Sequence, residues 1–273
     1  MTEPVLTQNG VPVLSARGLS KRFGGLLAVN GVDLDLHAGR LLGVIGPNGA
    51  GKSTMINALT GHTRPTQGTV TVDGDDYTGV RPWKLAKAGV ARTFQIVKPF
   101  RGMTVTDNVA VAALYRPRER GRGRAPGRRP GVAAGRRSAL EVLDRVGLAG
   151  KGHLAPAELS VADARRLELA KALALKPRVL LLDEVLAGLR PAEIDPALEL
   201  IDSLRRDGLA LLMVEHVMHA IATVSDDVLV LHHGEVLTHG KPATVLSDER
   251  VVAAYLGHRY AQRAAARKEG GTS

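Results

Sequence analysis

Three short stretches hold side chains whose types and spacing could act on a phosphate. GPNGAGKST, residues 46–54, sets Gly46, Gly49 and Gly51 among Pro47, Asn48 and Ala50 and follows them with Lys52, Ser53 and Thr54. Glycines so placed let the backbone curl until successive N–H groups face one anion, Lys52 adds a point charge, and the Ser53 hydroxyl suits Mg²⁺. RVLLLDE, residues 178–184, ends an apolar run on two carboxylates. Beside a phosphate loop, Asp183 is expected to hold Mg²⁺ through water, and Glu184 to orient and deprotonate an attacking water. ELSVADARRLELAKAL, residues 158–173, opens on Ser160 and Asp163 at capping-box spacing. The hydroxyl would accept from an N–H near Asp163 while the carboxylate reaches back. A helix start also suits a phosphate, so from these residues alone both the cap and the anion site stay open.

These groups need elements to hold them. LLGVI at 41–45, VLLL at 179–182 and LALLMV at 209–214 are short continuous apolar runs, as expected of parallel strands buried on both faces. VDLDLH at 32–37 and GTVTVDG at 68–74 alternate apolar with polar residues and predict an antiparallel sheet. DVLVLHHGEVLTHG places two β runs around His233 and Gly234, a hairpin signal. From about Val105 to Lys176 the chain is polar and helix-compatible, and RPRERGRGRAPGRRPGVAAGRR, residues 116–137, interrupts it with the composition of a solvated loop. The expected class is therefore α/β, with a phosphate loop on a parallel core sheet, an antiparallel β subdomain and a helical subdomain.

Composition narrows the partners. The net charge of +10 is concentrated: nine of the 37 Lys and Arg, against one of the 27 acids, lie in 116–137. The remaining 28 basic and 26 acidic residues nearly balance, and the tail from residue 258 is itself basic. With three Phe, four Tyr and one Trp, a basic face interleaved with aromatics for nucleic acid is not supported. The absence of cysteine removes disulfides, thiolate chemistry and Cys-based zinc sites and fits a reducing compartment. No leader and no apolar run near the roughly 20 residues of a membrane span is read here, so any membrane role is expected to come through a partner.

Once RTFQ at 92–95 and MVEH at 213–216 are added, the chain resembles an ABC-type ATPase subunit from about Leu14 to Leu256. KRFGGLLAVNGVDL, GPNGAGKSTMINALTG, RTFQIVKPFRGMTVTDNV, EHVMHAI and VVAAYLG are similar to the ATP-binding subunits of branched-chain amino acid importers. The resemblance implies ATP and Mg²⁺ as cofactors. It implies Phe23 stacked on adenine, Gln95 touching Mg²⁺ and sensing a membrane partner, and His216 at the γ-phosphate. Taken singly, Phe23 could be strand packing, Gln95 a loop amide and His216 a strand-end histidine. The partners implied are transmembrane permease subunits, indirectly a substrate-binding protein, and a second ATPase subunit, with a heterodimer favoured over a homodimer. The location implied is the cytoplasmic face of the cell membrane. The extents expected are an extension over 1–12, a nucleotide-binding domain over 13–257 with its helical subdomain at about 96–176, and a basic tail over 258–273.

The resemblance also places the third stretch. Where that family carries LSGGQ, facing ATP held by the opposite subunit, this chain reads Leu159, Ser160, Val161, Ala162, Asp163. Ser160 remains, both glycines are replaced, and Asp163 is expected to put a negative charge near an anion. Arg190 stands where an acid or amide is common. The leading expectation is an ATPase that drives import of branched-chain amino acids or similar amide-like solutes through a separate permease. Competing expectations are the motor of another importer or of a lipopolysaccharide-type exporter, a soluble ABC protein on ribosomes or DNA, and a low-turnover regulatory module.

Overall fold

A computed structural model describes residues 10–95, 97–115 and 131–255. The chain begins with the long strands β1 (Leu14–Phe23) and β2 (Leu26–Leu36), then β3 (Leu41–Ile45) and helix α1 (Lys52–Leu59). Next come β4 (Gln67–Val72), β5 (Asp75–Asp76), α2 (Pro82–Lys87) and β6 (Val90–Arg92), followed by α3 (Val105–Leu114), α4 (Val132–Arg145) and α5 (Val161–Ala174). The last part alternates β7 (Val179–Asp183), α6 (Pro191–Arg206), β8 (Ala210–Val214), α7 (Met218–Val224), β9 (Asp227–His232), β10 (Glu235–Gly240) and α8 (Pro242–Leu246). A helical segment over 249–255 closes the described chain.

Two sheets result. The antiparallel sheet has the order β2-β1-β4-β5, and the larger sheet has the order β10-β9-β3-β8-β7-β6. In the larger sheet every pairing but the β10 edge is parallel. β3, β7 and β8 are buried at every residue, which is why their sequences are continuous apolar runs. One apolar cluster joins this sheet to α3–α6, and a second joins its other face to α1 and the antiparallel sheet. The β9–β10 connection is a two-residue turn in which His233 and Gly234 both have positive φ, the arrangement that matches strand twist in a tight hairpin.

The helical layer departs from the sequence expectation in one place. Residues 116–130 lie outside the described residues, but 132–137, expected as loop, form the first turns of α4. Ala133 and Ala134 are strong helix formers, and a methyl on Gly135 would meet Leu114 at 3.1 Å, so α3 and α4 approach closely. At the N-terminal end of α3, Thr104 caps the helix by accepting from the Asp107 N–H at 3.1 Å. Asn108, 1% exposed, then ties the preceding loop to it. Its side chain accepts from Phe100 N–H at 2.8 Å and donates to the Phe100 and Thr104 carbonyls at 3.1 and 2.9 Å.

Asn108→Ala leaves the Phe100 N–H without its acceptor, while the Phe100 and Thr104 carbonyls keep the main-chain N–H groups of Met103 and Asn108; an unmade bond of this kind costs ~1–3 kcal/mol. Urea unfolding should show a loss within that range, and native-state proteolysis should cut first within 100–104.

Candidate active site

The phosphate loop is the turn between β3 and α1. Gly46, Gly49 and Gly51 have φ of 155°, 81° and 104°. A methyl on Gly46 would lie 2.2 Å from the Leu231 carbonyl oxygen, and one on Gly51 2.3 Å from that of Ala28, so neighbouring backbone as well as dihedral angle demands glycine there. At Gly49 the dihedral alone does so. No side chain caps the start of α1, which leaves its first N–H groups directed out of the helix end. Asn48, Gly49 and Ser53 are exposed, whereas Ala50 and Lys52 are buried. Lys52 Nζ donates to the Gly46 and Pro47 carbonyls at 2.6 and 3.0 Å. Burial lowers its pKa below the ordinary lysine value, opposed by the carboxylates of Glu184 and Asp183.

Distant segments hold this loop. Gly234 N–H donates to the Ala50 carbonyl at 3.0 Å, and Gly46 N–H donates to the Tyr255 hydroxyl at 2.5 Å. The β1–β2 hairpin, whose Ala28 carbonyl abuts Gly51, also carries Phe23. That ring is 50% exposed, with Lys21 Nζ 4.9 Å from its centroid.

The second group gathers at the ends of β6, β7 and β8. Asp183 is buried, and its Oδ2 takes Arg92 Nη2 at 2.7 Å. Arg92 also donates to Asn57 Oδ1 of α1 at 2.6 Å, so one guanidinium links the carboxylate to the helix that follows the loop. Glu184, one residue past the strand, has a left-handed φ of 50°. Its N–H bonds the Val214 carbonyl at 3.0 Å. One carboxylate oxygen pairs with His216 Nε2 at 2.7 Å and the other accepts from Gln95 Nε2 at 2.5 Å. Glu184, His216 and Gln95 therefore form one bonded cluster. Gln95 is set by α5: Arg165 donates to the Phe94 and Gln95 carbonyls, Lys98 N–H donates to Glu168 Oε1, and Lys171 Nζ donates to the Lys98 carbonyl.

The donor chemistry suits a hard divalent cation. The Ser53 hydroxyl, the Gln95 amide oxygen and the Asp183 oxygen not taken by Arg92 are all oxygen ligands. Among the described residues no group of three or more His, Cys, Asp and Glu could hold a metal by itself. Mg²⁺ bound through phosphate and water needs only one or two protein ligands, so this set fits it.

Ser160 stands outside that cluster. As N-cap of α5 it accepts from Asp163 N–H at 3.1 Å, as expected, but the carboxylate does not reach back to the backbone. Asp163 Oδ2 instead accepts the Ser160 hydroxyl proton at 2.8 Å and pairs with Lys151. Burial alone would raise the Asp163 carboxyl, but hydrogen bonds from Lys151 and Ser160 outweigh it and hold the pKa below the usual carboxylate value. The negative charge expected of Asp163 is present but buried and paired with Lys151, and Val161, 59% exposed, occupies the face beside Ser160. The turn after Glu184 adjoins it, since a methyl on Gly188 would sit 3.4 Å from Val161. Arg190 caps α6 and spends its guanidinium on Glu193 at 2.6 Å.

Comparison with known proteins decides the assignment. Residues 29–187 match the family described as ABC transporter, and residues 235–261 match one described as branched-chain amino acid ATP-binding cassette transporter. The chain belongs to the ABC transporter ATP-binding family. It is similar to the high-affinity branched-chain amino acid transport ATP-binding proteins BraF of Pseudomonas aeruginosa, 38% identical, and LivG of Escherichia coli, 39% identical. Each match spans 250 residues, 90% of this chain and 98% of the relative. Among solved structures it resembles the ADP conformation of MJ1267, an ATP-binding cassette of an ABC transporter, at 28% identity and TM-score 0.80 over 91% of this chain and all of that one. The dimeric bacterial ABC transporter cassette MJ0796 is 25% identical with TM-score 0.73, over 84% and 98% of the two chains.

In this ABC ATPase four side chains tied to the site were given no role by sequence: Arg92, Arg165, Tyr255 and Glu215. Arg92 sat in plain view inside RTFQ, and Glu215 inside MVEH. Arg165 and Tyr255 had no signal beyond their presence on helices, because their partners lie 70 and 209 residues away. Burial raises the Tyr255 hydroxyl to about 12, so it stays protonated.

Glu215 is 2% exposed, and burial raises its carboxyl to about 7, opposed by the Leu186 and His216 amides and reinforced by Glu184. The folded chain therefore holds the extra proton between about 4.5 and about 7. This contribution to stability is full below that window and is lost as pH rises through its upper end. Glu215→Gln removes it, so the difference in Tm between variant and parent should move in the variant's favour from pH 5 to pH 8. The shift corresponds to at most ~3 kcal/mol. A difference that is flat with pH would assign the raised pKa to another group.

Proposed function

We propose that this ATPase uses Glu184 as general base and drives import of branched-chain amino acids, or similar small amino acid and amide solutes, through a separate permease. The observation that carries the catalytic reading is the Glu184 carboxylate, gripped on one oxygen by His216 and on the other by Gln95, one residue beyond Asp183. The printed functions of BraF and LivG, and the branched-chain match over 235–261, support the cargo. No helix among the described residues is long and apolar enough to cross a membrane. The transport functions printed for BraF and LivG support passage through the permease, with this subunit at the cytoplasmic face.

In the proposed mechanism the N–H groups of 46–54 and the Lys52 ammonium receive the phosphates, and Phe23 stacks on adenine. Ser53 and Gln95, with Asp183 through water, would hold Mg²⁺, whose charge would offset that of the phosphate oxygens. The Arg92 bond orients Asp183 for that role. Glu184 takes a proton from the attacking water at its carboxylate, while His216 fixes that carboxylate and meets the γ-phosphate. Gln95, seated by Arg165, reports contact with the permease to Glu184. The nucleotide-binding domain spans about 13–257, with 116–137 as an Arg-rich insertion in the helical subdomain.

We further assign this chain to a dimer with a different ATPase subunit. Ser160 already gives its hydroxyl proton to Asp163, and Val161 and Ala162 replace the glycines that would admit close backbone approach. The site that combines the partner's phosphate loop with Ser160 here would hold ATP, and the site built on Lys52 and Glu184 would hydrolyse it.

Glu184→Gln should preserve ATP binding and lower turnover of the assembled transporter about 10² to 10⁴-fold, the usual cost of a lost general base. The equivalent change in the partner should leave most turnover, and equal losses from both would sink the asymmetry. Lys52→Ala should weaken ATP binding itself, as read by titration with a fluorescent nucleotide.

A further inference from the structure

We propose that Glu215 is a positioning residue that fixes the aim of Glu184 through the backbone of the following turn. The proposal rests on the reading of Glu184 as base. Glu215 is the first residue past β8, and its Oε1 accepts from the Leu186 N–H at 2.9 Å in a fully buried setting. It is one of three consecutive ties. The Val214 carbonyl receives Glu184 N–H at 3.0 Å, Glu215 receives Leu186 N–H, and His216 Nε2 meets Glu184 Oε1 at 2.7 Å. Residues 214–216 thus continue the β7–β8 pairing as a short ladder beyond the end of the sheet, with side chains replacing main chain in its last two rungs.

The middle rung matters because of the conformation it holds. Glu184 has a left-handed φ of 50°, which a non-glycine residue keeps only where its surroundings impose it. Ala187 N–H to Glu184 O and Leu189 N–H to Leu186 O, both 3.2 Å, close the turn locally but do not orient it against β8. Val214 fixes the turn at its first residue and Glu215 at its third. Leu186 is 3% exposed, so no water can replace the carboxylate. If the Leu186 bond is lost, the turn can pivot about the Val214 contact and carry the Glu184 carboxylate off His216. A misplacement of about 1 Å at a reacting group can cost as much as ~10²-fold in rate. The phosphate loop is held by other residues, Gly234, Tyr255 and Lys52, so ATP affinity should be untouched.

Glu215→Met and Glu215→Gln, compared in the assembled transporter, separate acceptor from bulk. Gln keeps an oxygen for the Leu186 N–H, while Met fills the space without one. The Met variant should lose at least ~10-fold in kcat with the ATP Kd within about twofold of the parent, and the Gln variant should recover most of that loss. In a Glu184→Gln background, single-turnover hydrolysis should show no further loss from Glu215→Met, because the residue acts through Glu184. Parent-like turnover in Met, equal losses in Met and Gln, or a Kd that moves with kcat would overturn the proposal. If the Met variant does not assemble, Glu215→Asp keeps the charge but shortens the reach. It should show the same loss of kcat, and parent-like turnover there would also refute the idea. A Glu184→Gln transporter with normal turnover would remove the base assignment and this proposal with it, whereas a Glu184→Gln loss beside parent-like Glu215→Met turnover would overturn the positioning role alone.

Discussion

A loop that presents its N–H groups to an anion must send its carbonyls somewhere else, and the rest of this molecule is arranged around where they go. The Gly46 and Pro47 carbonyls turn inward to Lys52, and the Ala50 carbonyl takes the Gly234 amide. Lys52, the phosphate ligand of the proposed mechanism, is therefore also a fixed donor to its own loop. Each inward carbonyl requires a fixed donor, supplied by Lys52 and by the β9–β10 turn, while β2 walls the loop with the Ala28 carbonyl and Tyr255 of the last described helix accepts from the Gly46 N–H. The antiparallel sheet and the hairpin are held in place by this requirement, not only by their apolar faces.

The same division of labour marks α5. One face grips the Gln95 segment with Arg165, Glu168 and Lys171, and its first residues display Ser160 and Val161. Asp163 is drawn in by Lys151 and does not face outward. A helix tied to the Gln95 segment along its middle carries its N-terminus with that segment. A shift of Gln95 is thus also a shift of the surface beside Ser160 and of the Gly188 turn against Val161.

Much of this was legible in the sequence. The fully buried strands announced themselves because burial on two faces leaves only apolar residues, and LLGVI occupies the same five residues as β3. The His233–Gly234 turn was legible because its dihedrals demand a permissive residue. β6 was not, since three residues carry no period, and the start of α4 was hidden by an Arg and Gly composition that argues for solvent. The ABC resemblance supplied Gln95 and His216, while Ser53, Asp183 and Glu184 followed from the phosphate loop and strand end. It could not supply the Arg92–Asp183 pair, the Lys151–Asp163 pair or the Leu186–Glu215 bond, because complementary charge or bonding over long separations leaves no pattern in one sequence.

The bond between Gly46 and Tyr255 has a consequence for the order of assembly. The loop's first amide finds its acceptor 209 residues later, and β3, which carries the loop, has both of its sheet neighbours at 210–214 and 227–230. During synthesis β3 therefore emerges as an unpaired apolar segment and waits for roughly 165 residues, on the order of 10–30 s at ribosomal speed. The antiparallel sheet, the α3–α5 layer and the β6–β7 pair can form meanwhile, since all their members precede residue 184. The loop between β3 and α1 thus gains its sheet neighbours and the Tyr255 and Gly234 contacts only when residues 210–255 have been made, so a chain cut short before them leaves β3 without a strand to pair with.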